Sequence, residues 1–363
     1  FELMLLKSGR PAVAVDTLSF TTGSLPDWIP AADALGNDTT AGLVVLSYPG
    51  GPVIVDNGGR VVWYKTAPDG LLNSFQAHAN GAYTLLGATD VSRAYHVLDV
   101  LGREIGTLEC VEFLIRFHDF LVLEGGDYWA LCDEERVFDL TEFGGLSDAV
   151  VTGTVVQHIS ATGALLFEWK VLDHFDITDI PVSQLTGRQV NFSHGNGIDL
   201  TEDGDLILSF RSLNEITKVD TETGQVVWRF GGLRNQFTFV GDPKGSFQRQ
   251  HGVRVAGPGI IQFLDNSETP PSRLVRFRLD EDALTATLIF AFADAPDILT
   301  PVGGSTQYYR SNGHGLVSFG RAGRVVETDA SGNRAWELTG IDGLYVFRAQ
   351  RIPSLYFPGA GGV

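Results

Sequence analysis

The stretch ITKVDTETGQVVWRF, residues 216–230, decides how this chain is read. β-Branched residues alternate with polar ones on both sides of an Asp-Thr-Glu-Thr-Gly turn, and a tryptophan stands near the end of the second arm. Alternation with period two makes each arm a strand with one buried face, and the Asp/Gly turn makes the pair a hairpin. The phrase returns as VIVDNGGRVVWYK (53–65), HVLDVLGREIGTLE (96–109), VVQHISATGALLFEWK (155–170), LVRFRLDEDALTATLIFAF (274–292) and GRVVETDASGNRAWEL (323–338). Copies lie roughly 40–60 residues apart, a period that belongs to propellers and solenoids. Six hairpins, each with a further pair of strands upstream, predict an all-β chain, a six-bladed β-propeller with its site in the central channel. A pair of β-sandwiches is the competing arrangement, and the repeat argues against it. Only DITDIPVSQLT (176–186) reads as a helical or irregular insertion. No linker stands out, so one propeller domain is assigned to 41–363, with 1–40 as an N-terminal extension or closing segment.

The 363 residues, 44% hydrophobic, are enough to bury a sizeable core. A net charge of −18 disfavours nucleic acid and anionic membrane surfaces as partners. No apolar run approaches the roughly 18 residues needed to span a bilayer. FELMLL at the start is too short for a complete signal peptide, and the first residue, Phe1, suggests that a leader or tag has been removed. Cys110 and Cys132 show no metal-ligand spacing and are read as buried thiols in preference to a disulfide.

Histidine follows the same repeat. His78 in FQAHANGAYTLLG, His118 in IRFHDFLVLEGGDYWAL, His194 in NFSHGNGIDL, His251 in FQRQHGVRV and His314 in RSNGHGLVSFG each stand at the start of a strand upstream of a hairpin. The first blade has no such copy. Innermost strands line a propeller's channel, so these five rings are expected around one funnel. His78 and His314 are the two that could instead only tie neighbouring blades. His96, His158 and His174 fall outside the pattern, and Trp63, Trp169, Trp228 and Trp336 are read as blade packing.

Converging imidazoles support more than one chemistry. Neutral imidazole is a competent nucleophile, and transfer through a covalent intermediate splits one hard step into two. The same set (His78, His118, His194, His251, His314) could hold a transition metal such as Zn, Fe, Cu or Ni, with Asp119 behind a ligating ring. A non-catalytic ligand-binding propeller is the third reading; it would keep the hairpins without needing the histidines or Arg211.

Several segments together resemble the bacterial aryl-sulfate sulfotransferase family, which does not use the nucleotide sulfate donor. They are GLVVLSYPGGPVIVDNGGRVVWY (42–64), FHDF (117–120), the run from HGNGIDL to VVWRFGG (194–232), QHGVRV with GIIQFLDN (250–266), and YVFRAQRIPSLY (345–356). The resemblance runs from about Ala41 to Tyr356. It implies a six-bladed propeller that moves a sulfuryl group from a phenolic sulfate to another phenol through a sulfohistidine, without a cofactor. It implies small-molecule aryl sulfates and phenols as partners, and a periplasmic or secreted location. By the same resemblance His251 is the nucleophile, Arg211 the sulfate-binding arginine, and His194 and His118 the further histidines around the sulfuryl oxygens. Substrate binding is assigned to His78, His314, Asn196 and Arg310, with Arg116, Arg249 and Arg310 as cations at the channel mouth. Three features depart from the family pattern. Glycine follows both His194 and His251 where larger residues are expected, which reads as a widened pocket or altered function. His314 is a histidine that the transfer does not need. The family's disulfide has no clear counterpart.

Overall fold

Each hairpin of the repeat is the outer half of an antiparallel sheet, and six such sheets form the propeller. The computed structural model describes residues 2–5, 13–17, 24–36, 38–67, 74–78, 80–88, 93–99 and 101–355. From the axis outward, blade one is Ala349–Ile352, Leu43–Tyr48, Gly51–Val55 and Val61–Tyr64. Blade two is Phe75–Ala77, Tyr83–Ala88, Arg93–Leu98 and Glu104–Leu108. Blade three is Leu114–Val122, Tyr128–Phe138, Ala149–Ile159 and Leu165–Lys170. Blade four is Gly195–Leu200, Leu206–Phe210, Glu215–Val219 and Val226–Gly231. Blade five is His251–Gly257, Ile260–Asp265, Arg273–Asp280 and Thr285–Phe292. Blade six is Ser305–Tyr308, Gly315–Ser318, Val325–Thr328 and Arg334–Thr339. Tyr356, the last residue of the resemblance, lies outside the described residues.

The ring closes on blade one, where the C-terminal strand Ala349–Ile352 pairs antiparallel with Leu43–Tyr48. By its contacts the chain divides into two units, Phe1–Pro30 and Ala31–Val363. The first unit contains an antiparallel hairpin of Glu2–Leu5 with Val13–Thr17. In the second, Asp33–Leu35 pairs with Arg334–Thr339 as an outermost strand of blade six, so the propeller begins ahead of residue 41.

Burial explains which strands show the period-two pattern. Leu206–Phe210 and Glu215–Val219 are buried along their whole length, because neighbouring blades cover both faces. Alternation survives in outer strands such as Val61–Tyr64. The repeat tryptophans pack between blades as expected. Trp169 Nε1 donates to the Gly224 carbonyl of the next blade at 3.1 Å, and Trp336 Nε1 donates to the Asn57 carbonyl at 2.9 Å. The insertion at 176–186 consists of the 3-10 turns Ile177–Asp179 and Val182–Gln184. Its buried Asp179 accepts from Arg229 Nη1 at 2.7 Å and from Arg234 Nε at 2.6 Å, which docks it on blade four.

Cys110 and Cys132 are joined in a disulfide, which corrects the buried-thiol reading. Leu114–Val122 pairs with Tyr128–Phe138 in a register that sets Ile115 opposite Cys132. The segment just ahead of Leu114 therefore runs beside Cys132, and the two Cα atoms stand 6.2 Å apart. No helix among the described residues is long and apolar enough to cross a membrane.

Candidate active site

Three of the five recurring histidines meet on the axis. His118 lies within the innermost strand of blade three, His194 immediately precedes that of blade four, and His251 begins that of blade five. His118 Nε2 and His194 Nε2 are 2.8 Å apart, and the His118 ring stands edge-on to His251 with centroids 5.8 Å apart. His78, at the end of the innermost strand of blade two, bonds Thr84 Oγ1 through Nε2 at 2.8 Å and packs on Phe120, without touching the other three rings.

Two assignments need correction. His314 precedes Gly315–Ser318, the second strand of blade six, whereas the innermost strand is Ser305–Tyr308. Its Nδ1 faces Glu327 Oε1 at 3.0 Å, and Glu327 is itself held by Thr40 and Arg351, so His314 belongs to the blade interior. Arg310 follows the far end of its innermost strand and pairs with Glu202, which follows the far end of Gly195–Leu200. It stands at the opposite mouth from His194 and His251. Asn196 is beside the site: its Nδ2 donates to the Gln250 carbonyl at 2.6 Å, and its buried Oδ1 has no donor among the described residues.

The tautomer of His251 follows from its partners. Nδ1 lies 2.7 Å from Asn266 Oδ1 and 2.9 Å from the Arg249 carbonyl. Both are acceptors, so Nδ1 carries the proton and Nε2 keeps its lone pair. The Asn266 amide is held that way round because its Nδ2 donates to the carbonyls of Thr300 and Gly303 at 2.6 and 2.9 Å. A similar order runs through the other pair. Asn191 Nδ2 donates to His194 Nδ1 at 2.7 Å. His194 then donates through Nε2 to His118 Nε2, which puts the His118 proton on Nδ1, buried with no acceptor among the described residues.

Beneath the rings lies Asp119, wholly buried. Its carboxylate accepts from Arg254 of blade five at 2.7 and 3.2 Å and from Arg348 at 3.0 Å, Arg348 directly preceding the closing strand of blade one. The Ile198 backbone N–H of blade four (3.2 Å) and Gln76 of blade two (3.4 Å) complete the set. Burial alone would raise the Asp119 carboxyl, but the two guanidiniums outweigh it and hold it below the ordinary value.

The charges felt by the three rings are positive. Burial first, then Arg116, His251 and Arg211, push His194 down to about 2. Burial and the charges of Arg211 and Arg348 outweigh the Asn266 and Arg249 hydrogen bonds and lower His251 to about 4. Burial, His194, Arg116, His251 and Arg348 hold His118 well below 6.5. These rings are therefore neutral at physiological pH, in a pocket whose field favours an anion although the whole chain carries −18. Among the described residues Arg211 makes one long side-chain hydrogen bond, from Nη2 to the Pro301 carbonyl at 3.3 Å, which leaves most of its donor fork available there. Arg116 is tied to Asp133 and Arg249 to Glu268. Phe347 lies 5.7 Å from His118 and 6.5 Å from Phe117, giving the site an aromatic wall.

The two glycines serve packing. Gly195 sits against Thr154, where a Cβ would come within 2.7 Å of that side chain. Gly252 has φ +62°, and a Cβ there would come within 2.9 Å of the Ser305 backbone of blade six. Close approach of adjacent blades, rather than a wider pocket, accounts for both. The multi-histidine metal set does not assemble: His78 and His314 stand apart, and His118 and His194 face each other nitrogen to nitrogen. Among the described residues no three His, Cys, Asp or Glu side chains are grouped to hold a metal ion.

Asn266, Arg348, Arg254 and Asn191 were not assigned from the sequence. Asn266 stands in a segment, IIQFLDN, whose apolar run gave no sign of its partner. Arg348 did leave a signal, a charge between apolar residues in VFRAQ.

Comparison with known proteins bears on both fold and family. The chain resembles the structure of a protein of unknown function from Bacteroides caccae, at 12% identity over 85% of this chain and 98% of that one, with a TM-score of 0.52. It matches the periplasmic gluconolactonase of Pseudomonas aeruginosa at 10% identity over 86% of this chain and 99% of that one, with a TM-score of 0.48. Likeness at this level speaks to fold alone, and only the first is close enough to support even that. No curated protein matches the chain. The sequence profile described as Arylsulfotransferase (ASST) matches residues 93–341, which runs from the outer two strands of blade two through blade six and includes His118, His194, Arg211 and His251. On that match the chain belongs to the arylsulfotransferase family.

Proposed function

We propose that the protein transfers a sulfuryl group from an aryl sulfate to a phenolic acceptor through a sulfohistidine at His251. The observation that carries this reading is the state of His251, whose Nδ1–H is locked on Asn266 and the Arg249 carbonyl so that Nε2 keeps its lone pair. The formal charges that act on it are those of Arg211 and Arg348.

In the first step the Nε2 lone pair attacks sulfur, an N–S bond forms, the S–O(aryl) bond breaks and phenoxide leaves with the bonding electrons. The ring becomes a sulfo-imidazolium, whose charge is eased by the two carbonyl acceptors on Nδ1. Arg211 holds sulfuryl oxygens with its donor fork. In the second step the acceptor phenol loses its proton, its oxygen attacks sulfur, and the N–S bond returns its electrons to Nε2. The first phenoxide leaves as the anion and takes its proton from solvent. In the second step the acceptor phenol gives its proton to the neutral His194–His118 pair, which passes it to solvent, so the net change is one H⁺ from acceptor phenol to departing phenoxide. Two half-reactions at one nucleophile give ping-pong kinetics.

The Cys110–Cys132 disulfide supports a periplasmic or secreted setting, since such bonds persist in oxidising compartments. The test incubates the protein with a chromogenic phenyl sulfate and a phenol acceptor. Phenolate release, with an adduct of one sulfuryl group on the wild type by mass spectrometry and none on His251→Ala, is the expected result. Turnover that survives His251→Ala overturns the reading. Activity abolished by chelation and tracking bound metal would favour metal chemistry, and no turnover and no adduct would favour a ligand-binding module.

A further inference from the structure

The propeller is closed by one short C-terminal strand, and the residue just ahead of that strand reaches the site. Arg348 is 6% exposed. Its carbonyl accepts from Ser47 N at 3.0 Å, which belongs to the closure of blade one. Its Nη2 crosses to blade three, where it donates to the His118 carbonyl at 2.7 Å and to Asp119 Oδ1 at 3.0 Å. Blades one and three are not neighbours in the ring, so this contact passes across the axis. The Arg348 Nε–H is buried with no acceptor among the described residues, as is His118 Nδ1.

A purely structural arginine does not need this position. Asp119 already has a two-pronged partner in Arg254, which also feels the Asp199 carboxylate, so Arg348 is not needed to pair that carboxyl group. What Arg348 adds is the bond to the His118 carbonyl and a fixed positive charge felt by the rings.

We infer that Arg348 is a positioning residue of the active site, which anchors the backbone of His118 and the Asp119 carboxylate and sets a permanent positive charge beneath the histidines. Closure of the ring and completion of the site are then one event, because the strand that locks blade one also delivers the guanidinium. This rests on the sulfuryl-transfer reading for its rate consequences but not for its electrostatic ones. The groups acting on His251 are the cations Arg211 and Arg348, the His118 and His194 rings, the Asn266 amide and the Arg249 carbonyl, so removal of Arg348 takes away one of two cations.

The experiment compares Arg348→Met and Arg348→Lys with wild type by circular dichroism, steady-state kinetics across pH, and NMR titration of the His251 imidazole. Arg348→Met is expected to raise the His251 titration and the acidic limb of kcat by about one pH unit. Its kcat should fall by about 10²-fold as His118 loses its anchor, with KM little changed. Arg348→Lys keeps the charge and should leave the titration in place, while kcat still falls by about tenfold. A folded Arg348→Met with an unmoved His251 titration overturns the electrostatic role. If Arg348→Met does not fold, Arg348→Lys decides, and wild-type kcat in that variant overturns the positioning role. A wild type without transfer or adduct fails the functional reading instead, and the His251 titration in Arg348→Met still tests Arg348.

Discussion

Arg254 of blade five and Asp119 of blade three meet across the axis in a two-pronged pair, Nη1 to Oδ2 at 2.7 Å and Nη2 to Oδ1 at 3.2 Å. With Arg348, Gln76 and the Ile198 N–H on the same carboxylate, groups from five of the six blades converge on one point. Asp119→Ala should cost about 3–5 kcal/mol, because it strands two buried guanidiniums. Chemical denaturation checks this. The Asp119 carboxyl is held below its unfolded value, so its contribution is present above that value and is lost as pH falls through the folded one.

Asn266 fixes the tautomer of the proposed nucleophile. Asn266→Leu removes the Oδ1 acceptor from Nδ1–H and should lower kcat by about 10²–10⁴-fold. The Arg249 carbonyl remains, so some activity survives. Single-turnover formation of the sulfo-enzyme measures the effect directly, since attack by Nε2 is the step that suffers.

Arg211 should matter mainly when charge spreads over the sulfuryl oxygens. Arg211→Met is expected to lower kcat by about 10²–10³-fold. Its one long contact to Pro301 means that stability should change little, and a melting curve beside the kinetics separates the two effects.

The buried histidines set a pH dependence of stability. His78 is lowered to about 3 by burial and by Arg348, His194 to about 2 and His251 to about 4. Each titrates near 6.5 when unfolded, so below that pH the unfolded chain binds protons that the folded chain does not. Stability is therefore lost as pH falls from about 6.5 toward those lower values, at about 1.4 kcal/mol per pH unit for each such histidine. Urea unfolding between pH 5 and 7.5 should show the slope, and His194→Gln should flatten it by one proton. Transfer itself should persist to well below pH 6, with its acidic limb near the His251 value of about 4.

The disulfide closes a loop with a sequence separation of 22 residues. Cys110→Ser with Cys132→Ser should lower stability by about 3 kcal/mol. Both positions are in blade three and its approach, and the sulfur contacts are to Leu131, Ala130 and Gln157 and not to the histidines, so kcat of the folded variant should stay near wild type. A variant of wild-type stability would refute this prediction.

The expectation for blade six failed for an instructive reason. NGHGLVSFG reads like the other histidine-led strands, yet it is the second strand, because the innermost one, STQY (305–308), has no apolar alternation of its own. The cysteines failed similarly: nothing local shows that Ile115 pairs opposite Cys132, and that register is what brings Cys110 alongside.

By itself the sequence determined the number of blades, their outer hairpins, and a histidine at the head of several blades, because a hairpin is a local object written in period-two alternation and turn residues. Only the tertiary structure decided which rings touch, that Asn266 orients His251, and that Arg348 and Arg254 share Asp119 on the axis. The ring contacts and the Asp119 pairs join different blades, and the Asn266–His251 bond joins the residue after the second strand of blade five to the start of its innermost strand; all of them depend on where each strand starts and on its register. A shift of one residue turns a side chain from the channel to the opposite face, and no local pattern records that choice.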